Sequence, residues 1–185
     1  MLRTETVPAF VLQTDRLGEI HRRVMLYTEG KGLVSAIAHG AEKNTGKLKS
    51  HTELFLFGRF SLYHDPVKDS FKITDVDCLN TFSSLRQSLL KFYAASLFAE
   101  IVLKSFGGGE GHEELFALFG QTLTHLDMGT EDDAMTLLVQ FPVRYLLVIG
   151  FEFAVRDCLG CGRAIGTEEP VFFSLRRRGF VCAAC

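Results

Sequence analysis

Several features that would place a chain quickly are missing here. None of the 185 residues is Trp although 17 are Phe, an imbalance from which no function follows. There is no low-complexity tract and no internal repeat. The opening stretch MLRTETVPAFVLQTDR carries charges where the apolar core of a secretory leader would stand, so a cytosolic chain is expected. The most apolar stretch, 134–155, is interrupted by Gln140, Pro142, Arg144 and Glu152. That excludes a membrane span and predicts a buried helix instead.

Catalytic motifs are missing as well. GAEKNTGKL looks like a phosphate loop, but Gly40 and Gly46 enclose five residues and Leu48 follows Lys47 where Ser or Thr is required. No Gly-x-Ser-x-Gly occurs, and the six His (21, 39, 51, 64, 112 and 125) never fall in an HExxH spacing. His112 with Glu113 and Glu114 reads as a helix start rather than a metal site. No Ser/His/Asp set or carboxylate pair can be argued, so the chain is expected not to be an enzyme.

Cysteine is scarce until the end. Before residue 158 there is only Cys78, expected to be an ordinary buried Cys. Then come Cys158-x2-Cys161 and, after 20 residues, Cys182-x2-Cys185. A CxxC turn lets two thiolates converge on one metal, and a second such turn completes a tetrahedron. Four ligands leave no open position, so a structural zinc is expected. A redox CxxC or free buried thiols are the alternatives, and two pairs at this distance fit neither well. Between the pairs, PVFFSLRRRGFVC predicts a hairpin, which makes the module a zinc ribbon. Its Arg176, Arg177 and Arg178, with Phe172, Phe173 and Phe180 around them, suit a phosphate backbone; the alternative is a solvated hairpin tip.

The net charge of −2 is unevenly spread. Residues 1–80 carry 11 Lys and Arg against 10 Asp and Glu, residues 81–157 carry 5 against 10, and residues 158–185 carry 4 against 2. Basic ends around an acidic middle suggest separate tasks.

Periodicity supports the same division. Residues 7–13, 21–28, 32–40, 53–64 and 70–78 are rich in β-branched and aromatic residues and are separated by turn signals, predicting five strands in a small barrel. From Thr81 the period becomes helical: a first helix capped by Ser83 or Ser84 and ended at Gly107–Gly109, a second over 112–126, and a third capped by Thr130. Pro142 is expected to kink or break the third. The expected domains are 1–80, 81–157 and 158–185.

A small barrel, then helices, then a four-cysteine module after a long apolar helix resembles the RecO family of bacterial recombination mediators. The likeness runs over nearly the whole chain. It includes Gly18 and Glu19 in the first turn, LYT before a Gly turn, Ala38-x-Gly40-Ala41, and ELFLFGRFSLY after a basic loop. The chain departs from the family pattern at His21, where an acid is common, and at His39, where Lys is common. Glu42 falls in a loop that is more basic in the family, which weakens phosphate binding. Relatives continue with more helix beyond the last cysteine, so a naturally short member or an incomplete chain is expected.

The resemblance implies an α+β multidomain protein: an OB-fold β-barrel, then a helical domain carrying the zinc ribbon. It implies DNA repair in the RecFOR pathway through binding of single- and double-stranded DNA, annealing, and recombinase loading onto strands coated with single-strand-binding protein. The RecR ring protein and the acidic, apolar tail of single-strand-binding protein are the implied partners, and the cytoplasm with its nucleoid the implied location. Arg22, Arg23, Lys43, Lys47 and Lys49 are the barrel's DNA candidates. Tyr27, Phe57 and Tyr63 are stacking candidates, though each suits a core better than a stacking role. Arg86, Lys91, Lys104, Arg144 and Arg156, the only cations of the acidic middle, are candidates for holding the tail. The alternative is a zinc-ribbon interaction scaffold without nucleic-acid binding; a zinc hydrolase would need the open metal position that four thiolates deny.

Overall fold

The computed structural model describes residues 4–43, 48–67, 69–105, 113–151, 156–166 and 169–185. By proximity the chain divides into two compact units, 1–143 and 144–185, and the division falls within the last helix.

The first unit begins with a closed five-stranded barrel in the order β1-β2-β3-β5-β4: β1 Thr4–Leu17, β2 His21–Thr28, β3 Gly32–Ala38, β4 Phe57–Asp65 and β5 Ser70–Asn80. All neighbours are antiparallel except β3 and β5, which run parallel. This is an OB-like barrel. β1 is long enough to close it: its first half pairs with β4 and its second with β2, with a register shift between Val11 and Gln13 that turns the strand. The alternating residues Val7, Ala9 and Val11, with Val24, Leu26, Val34, Ala36, Phe60 and Leu62, fill the interior.

β5 shows why FKITDV alternates imperfectly. Leu62 lies across from Ile73 and Ser61 from Asp75, so Thr74 is an extra residue in the ladder. The bulge resets the period, and Ile73 and Val76 both point inward. The expected strand over 53–64 starts only at Phe57. Phe55 sits at a left-handed φ of 67°, its amide donating to the Val11 carbonyl at 2.8 Å. Burial of its ring offsets the strain.

Three helices follow: α1 Leu89–Ser105, α2 Glu113–Met128 and α3 Glu131–Val148. The expected cap at Ser83 or Ser84 is corrected: Ser83–Arg86 form a separate 3-10 turn, and Ser88 Oγ accepts the Lys91 amide at 3.4 Å to start α1. Ser84 is used instead to bind α2, its amide and hydroxyl donating to Asp127 at 3.0 and 2.6 Å. Thr130 caps α3 as expected: its Oγ1 accepts the Asp133 amide at 3.3 Å, and its own amide donates back to Asp133 at 2.7 Å. The stop at Gly107–Gly109 and the start at His112 lie outside the described residues.

α2 covers one end of the barrel with an aromatic layer. Phe10 of β1 meets Phe116 and Phe119 at ring distances of 5.1 and 5.2 Å, and Tyr27 meets Phe116 at 5.4 Å. Gly120 permits this approach: a Cβ there would lie 3.0 Å from the Phe10 ring. The expectation of a buried helix over 134–155 is corrected in part. α3 continues through Pro142 and buries Ala134 and Phe141, but exposes Met135, Val139, Val143 and Leu147. The residues are apolar around more of the helix than the core covers. No helix among the described residues is long and apolar enough to cross a membrane.

In the second unit a short hairpin, β6 Val171–Ser174 and β7 Gly179–Cys182, stands beside the cysteines.

Candidate metal centre and nucleic-acid interface

The four thiols of Cys158, Cys161, Cys182 and Cys185 meet at one point, every sulfur within 4.8 Å of every other. Cys161 and Cys182 Sγ are 3.9 Å apart. Zinc–sulfur bonds of about 2.3 Å put tetrahedral sulfurs about 3.8 Å apart, so the cluster is already near the spacing a metal requires. Two backbone turns build it. The first is closed by the Gly162 amide on the Cys158 carbonyl at 2.8 Å, the second by the Cys185 amide on the Cys182 carbonyl at 3.0 Å. The first turn is fastened to β7, with the Leu159 amide donating to Phe180 O at 2.9 Å. Gly179 gives the Leu159 side chain room there, because a Cβ would lie 2.3 Å from its Cδ1 and displace it.

The surroundings favour thiolate. The amides of Cys182 and Gly160 each point at Cys158 Sγ from 3.3 Å. Led by the Cys182 amide, such donors draw the Cys158 thiol down to about 6. The Arg163 guanidinium beside Cys182 is the main reason that thiol also lies below its ordinary value. Cys185 is pushed up to about 12, because Cys161 and then the other thiols crowd it. Holding all four sulfurs as thiolates this close would require a cation, and soft thiolate donors suit zinc. The residues therefore fit a closed, structural metal site. Arg163, held by an ion pair with Glu169 at 2.5 Å, was not singled out from the sequence; its place two residues after Cys161 is the only signal it gives.

Cys78 is half-buried on β5, less enclosed than expected, and burial raises its thiol.

The barrel's cationic candidates divide by their partners. Arg22 faces inward across the segment that follows β3. Its Nε and Nη2 donate to Glu42 at 2.8 and 2.5 Å, and its Nη1 donates to the carbonyls of Lys49 and Thr52 at 3.3 and 3.2 Å. One side chain thus fastens both ends of the lysine-bearing segment 43–49. Glu42, which looked like an obstacle to phosphate, is the counterion of that clamp. The Arg22 hydrogen bond holds its carboxyl below the usual range, with the charges of Lys49 and Arg16 adding to the effect. Lys43, Lys49 and Arg23 are exposed and have no acid partner among the described residues, and Lys47 lies outside the described residues. Three other barrel cations are paired with acids, Lys31 with Glu5, Arg59 with Asp77 and Lys72 with Asp65, while Arg16 donates to the Glu19 carbonyl. His21 and His39, the two departures from the family pattern, touch each other edge to face at 4.7 Å, and His21 Nδ1 accepts the Gly40 amide at 3.1 Å.

The stacking candidates are placed unequally. Tyr27 is buried in the aromatic layer, Phe57 is half-buried against Phe10 at 4.5 Å, and Tyr63 is half-exposed beneath Lys72. Among the helical cations, Lys91 is only 8% exposed and bonds Ser84 and the Asp127 carbonyl, so it joins elements of the fold. Arg86 ties Thr81 and Leu54 carbonyls at 3.0 and 2.7 Å. Arg144 and Arg156 are exposed. Lys104, paired with Glu100, borders a surface cavity of about 470 Å³ that Leu97 and Ile101 also line. Arg177 donates to the Leu159 carbonyl at 2.6 Å, while Arg176 and Arg178 extend from the hairpin tip.

Two family models match the chain, recombination protein O N terminal over residues 1–82 and recombination protein O C terminal over residues 86–185. Among curated relatives, the DNA repair protein RecO of Clostridium novyi (strain NT) is 30% identical over 96% of this chain and 67% of its own length. That of Synechococcus sp. (strain JA-3-3Ab) is 30% identical over 98% and 62%, and that of Bacillus pumilus (strain SAFR-032) is 28% identical over 95% and 66%. The chain thus spans about two thirds of the length of these relatives or slightly less.

Proposed function

The chain belongs to the RecO (recombination protein O) family, and from that premise we propose that it serves DNA repair and recombination as a binding protein rather than an enzyme. It binds single- and double-stranded DNA through the barrel, anneals complementary strands, and assists recombinase loading onto DNA coated with single-strand-binding protein, in the RecFOR pathway. The observation that carries this reading is the Arg22 clamp. One arginine and one glutamate fasten a segment whose described lysines, Lys43 and Lys49, have no acid partner, while Lys31, Arg59 and Lys72 elsewhere on the barrel are paired with acids. A free cationic rim on an OB-like barrel suits a phosphate backbone. Arg22 therefore positions the loop, and Arg23, Lys43, Lys47 and Lys49 make the contacts. Zinc occupies the four-cysteine site and fixes the ribbon; it takes no part in chemistry.

The same premise extends to two protein partners, the RecR ring protein and the tail of single-strand-binding protein, and to the cytoplasm and nucleoid as location. For an acidic, apolar tail, Lys104 is the best-placed cation, because exposed Leu97 stands beside it. Reversing Lys43, Lys47 and Lys49 to Glu together tests the DNA surface. Each lost single-strand contact lowers the salt slope by about 0.7, so the triple change lowers it by about 2. An unchanged slope would place the DNA elsewhere.

A further inference from the structure

The hairpin exposes what a folded strand normally hides. On β6, Phe172 and Phe173 are 57% and 52% exposed, and Leu175 at the turn is 84% exposed. On β7, by contrast, Gly179, Val181 and Cys182 are buried beside the thiol cluster. Alternation separates the two phenylalanines: Phe173 shares a face with its cross-strand partner Phe180, ring to ring at 5.6 Å and nearly perpendicular, while Phe172 points to the other face. Phe180 meets Phe173 edge to face, and half of Phe173 remains exposed.

Charge decides what can cover that ring. From Pro170 to Cys185 there are three arginines and no acid. Arg177 is engaged by the Leu159 carbonyl, whereas Arg176 and Arg178 are exposed and have no partner among the described residues. A ligand that satisfies both the open ring and the two free cations carries repeated negative charge and flat apolar faces. Unpaired bases on a phosphate backbone have both; a duplex hides its base faces. We propose that the β6–β7 hairpin is a single-strand nucleic-acid contact in which Phe173, backed by Phe180, stacks an unpaired base while Arg176 and Arg178 hold flanking phosphates. This rests on the DNA-binding reading above and adds a contact on a different unit from the barrel.

The test uses the full, metal-loaded chain with labelled oligothymidine and a labelled duplex of equal length over a salt series. Phe173→Ala is expected to weaken oligothymidine binding by about fivefold or more, with the salt slope and duplex affinity unchanged, because stacking releases no counterions. Arg176→Gln with Arg178→Gln is expected to lower the oligothymidine slope by about 1.4. Phe172→Ala, on the opposite face, should leave oligothymidine binding as it is. Metal content verifies that each variant keeps the ribbon. Wild-type binding that every variant retains overturns this contact and leaves the barrel reading standing. Equal losses in Phe172→Ala and Phe173→Ala, or a matching loss on duplex, also overturn it. A wild-type chain that binds neither probe overturns both.

Discussion

The barrel and the terminal hairpin are both antiparallel β structure in the main, yet they are held by different means. The barrel closes on itself and packs Val11, Leu26, Phe60 and Leu62 in a hydrocarbon interior that α2 caps with aromatic rings. The hairpin has two four-residue strands, and its buried set is Cys158, Val181 and Cys182 with Ile165 packed on it. Burying a full Val, Leu or Phe side chain contributes about 1.5–3 kcal/mol, so the barrel accumulates its stability from many residues. An isolated two-stranded hairpin is marginal in water and needs a cross-link. What a core does for the described residues of the barrel, a metal held by the four thiols would do for the described residues of 156–185. The same contrast explains the surface: a strand that does not depend on its own apolar residues for stability can leave Phe172 and Phe173 outside.

Metal removal should break this comparison most severely. Structural zinc contributes on the order of 10 kcal/mol to such modules. Chelation should therefore abolish hydrogen-exchange protection in β6 and β7 while β1 to β5 keep theirs. Metal analysis of the native chain should give one zinc per chain; two metals, or a disulfide among these cysteines under reducing conditions, would contradict the site. The converse change is Phe60→Ala in the barrel, at a fully buried ring. It should cost about 3–5 kcal/mol, seen as an earlier denaturant midpoint, with metal content unaltered in native buffer. Metal loss in that variant would mean that the two regions are not independent.

Smaller effects sharpen the picture of the barrel. Arg22→Gln should cost about 1.5–3 kcal/mol, the range for hydrogen bonds to charged groups. Its acid partner adds a pH signature. Glu42 titrates below its ordinary value of 4.5 in the folded chain. Its contribution is therefore present above that value and is lost as the pH falls through the lowered one. The stability gap between the native chain and Glu42→Gln should close in acid; a gap that widens would exclude the clamp. Thr130→Ala should cost about 1 kcal/mol, measured by denaturant titration, through loss of the α3 cap.

Much of this was legible in the sequence because it depends on local signals. Strand alternation, turn residues, the Thr130 cap and the CxxC spacing are short-range patterns, and the barrel, α3 and the thiol cluster followed from them. The features that were not legible depend on what lies across space. Nothing near Arg22 in sequence indicates that it reaches Glu42, Lys49 and Thr52 together. Lys91 resembles any helix-surface lysine until Ser84 and Asp127 surround it. The apolar width of α3 is plain in the sequence, but only packing shows that the core covers one side. The bulge at Thr74 was visible as a faulty alternation, although its cause was not.

The free cations of the barrel rim are expected to meet a phosphate backbone. Titrating a labelled single-stranded oligonucleotide with the full chain across a salt series tests it most directly. A log–log slope of about −2 or steeper is expected, since each neutralised single-strand phosphate contributes about 0.7. A weak response that is flat with salt would contradict it and leave a ribbon-bearing protein-interaction scaffold in its place.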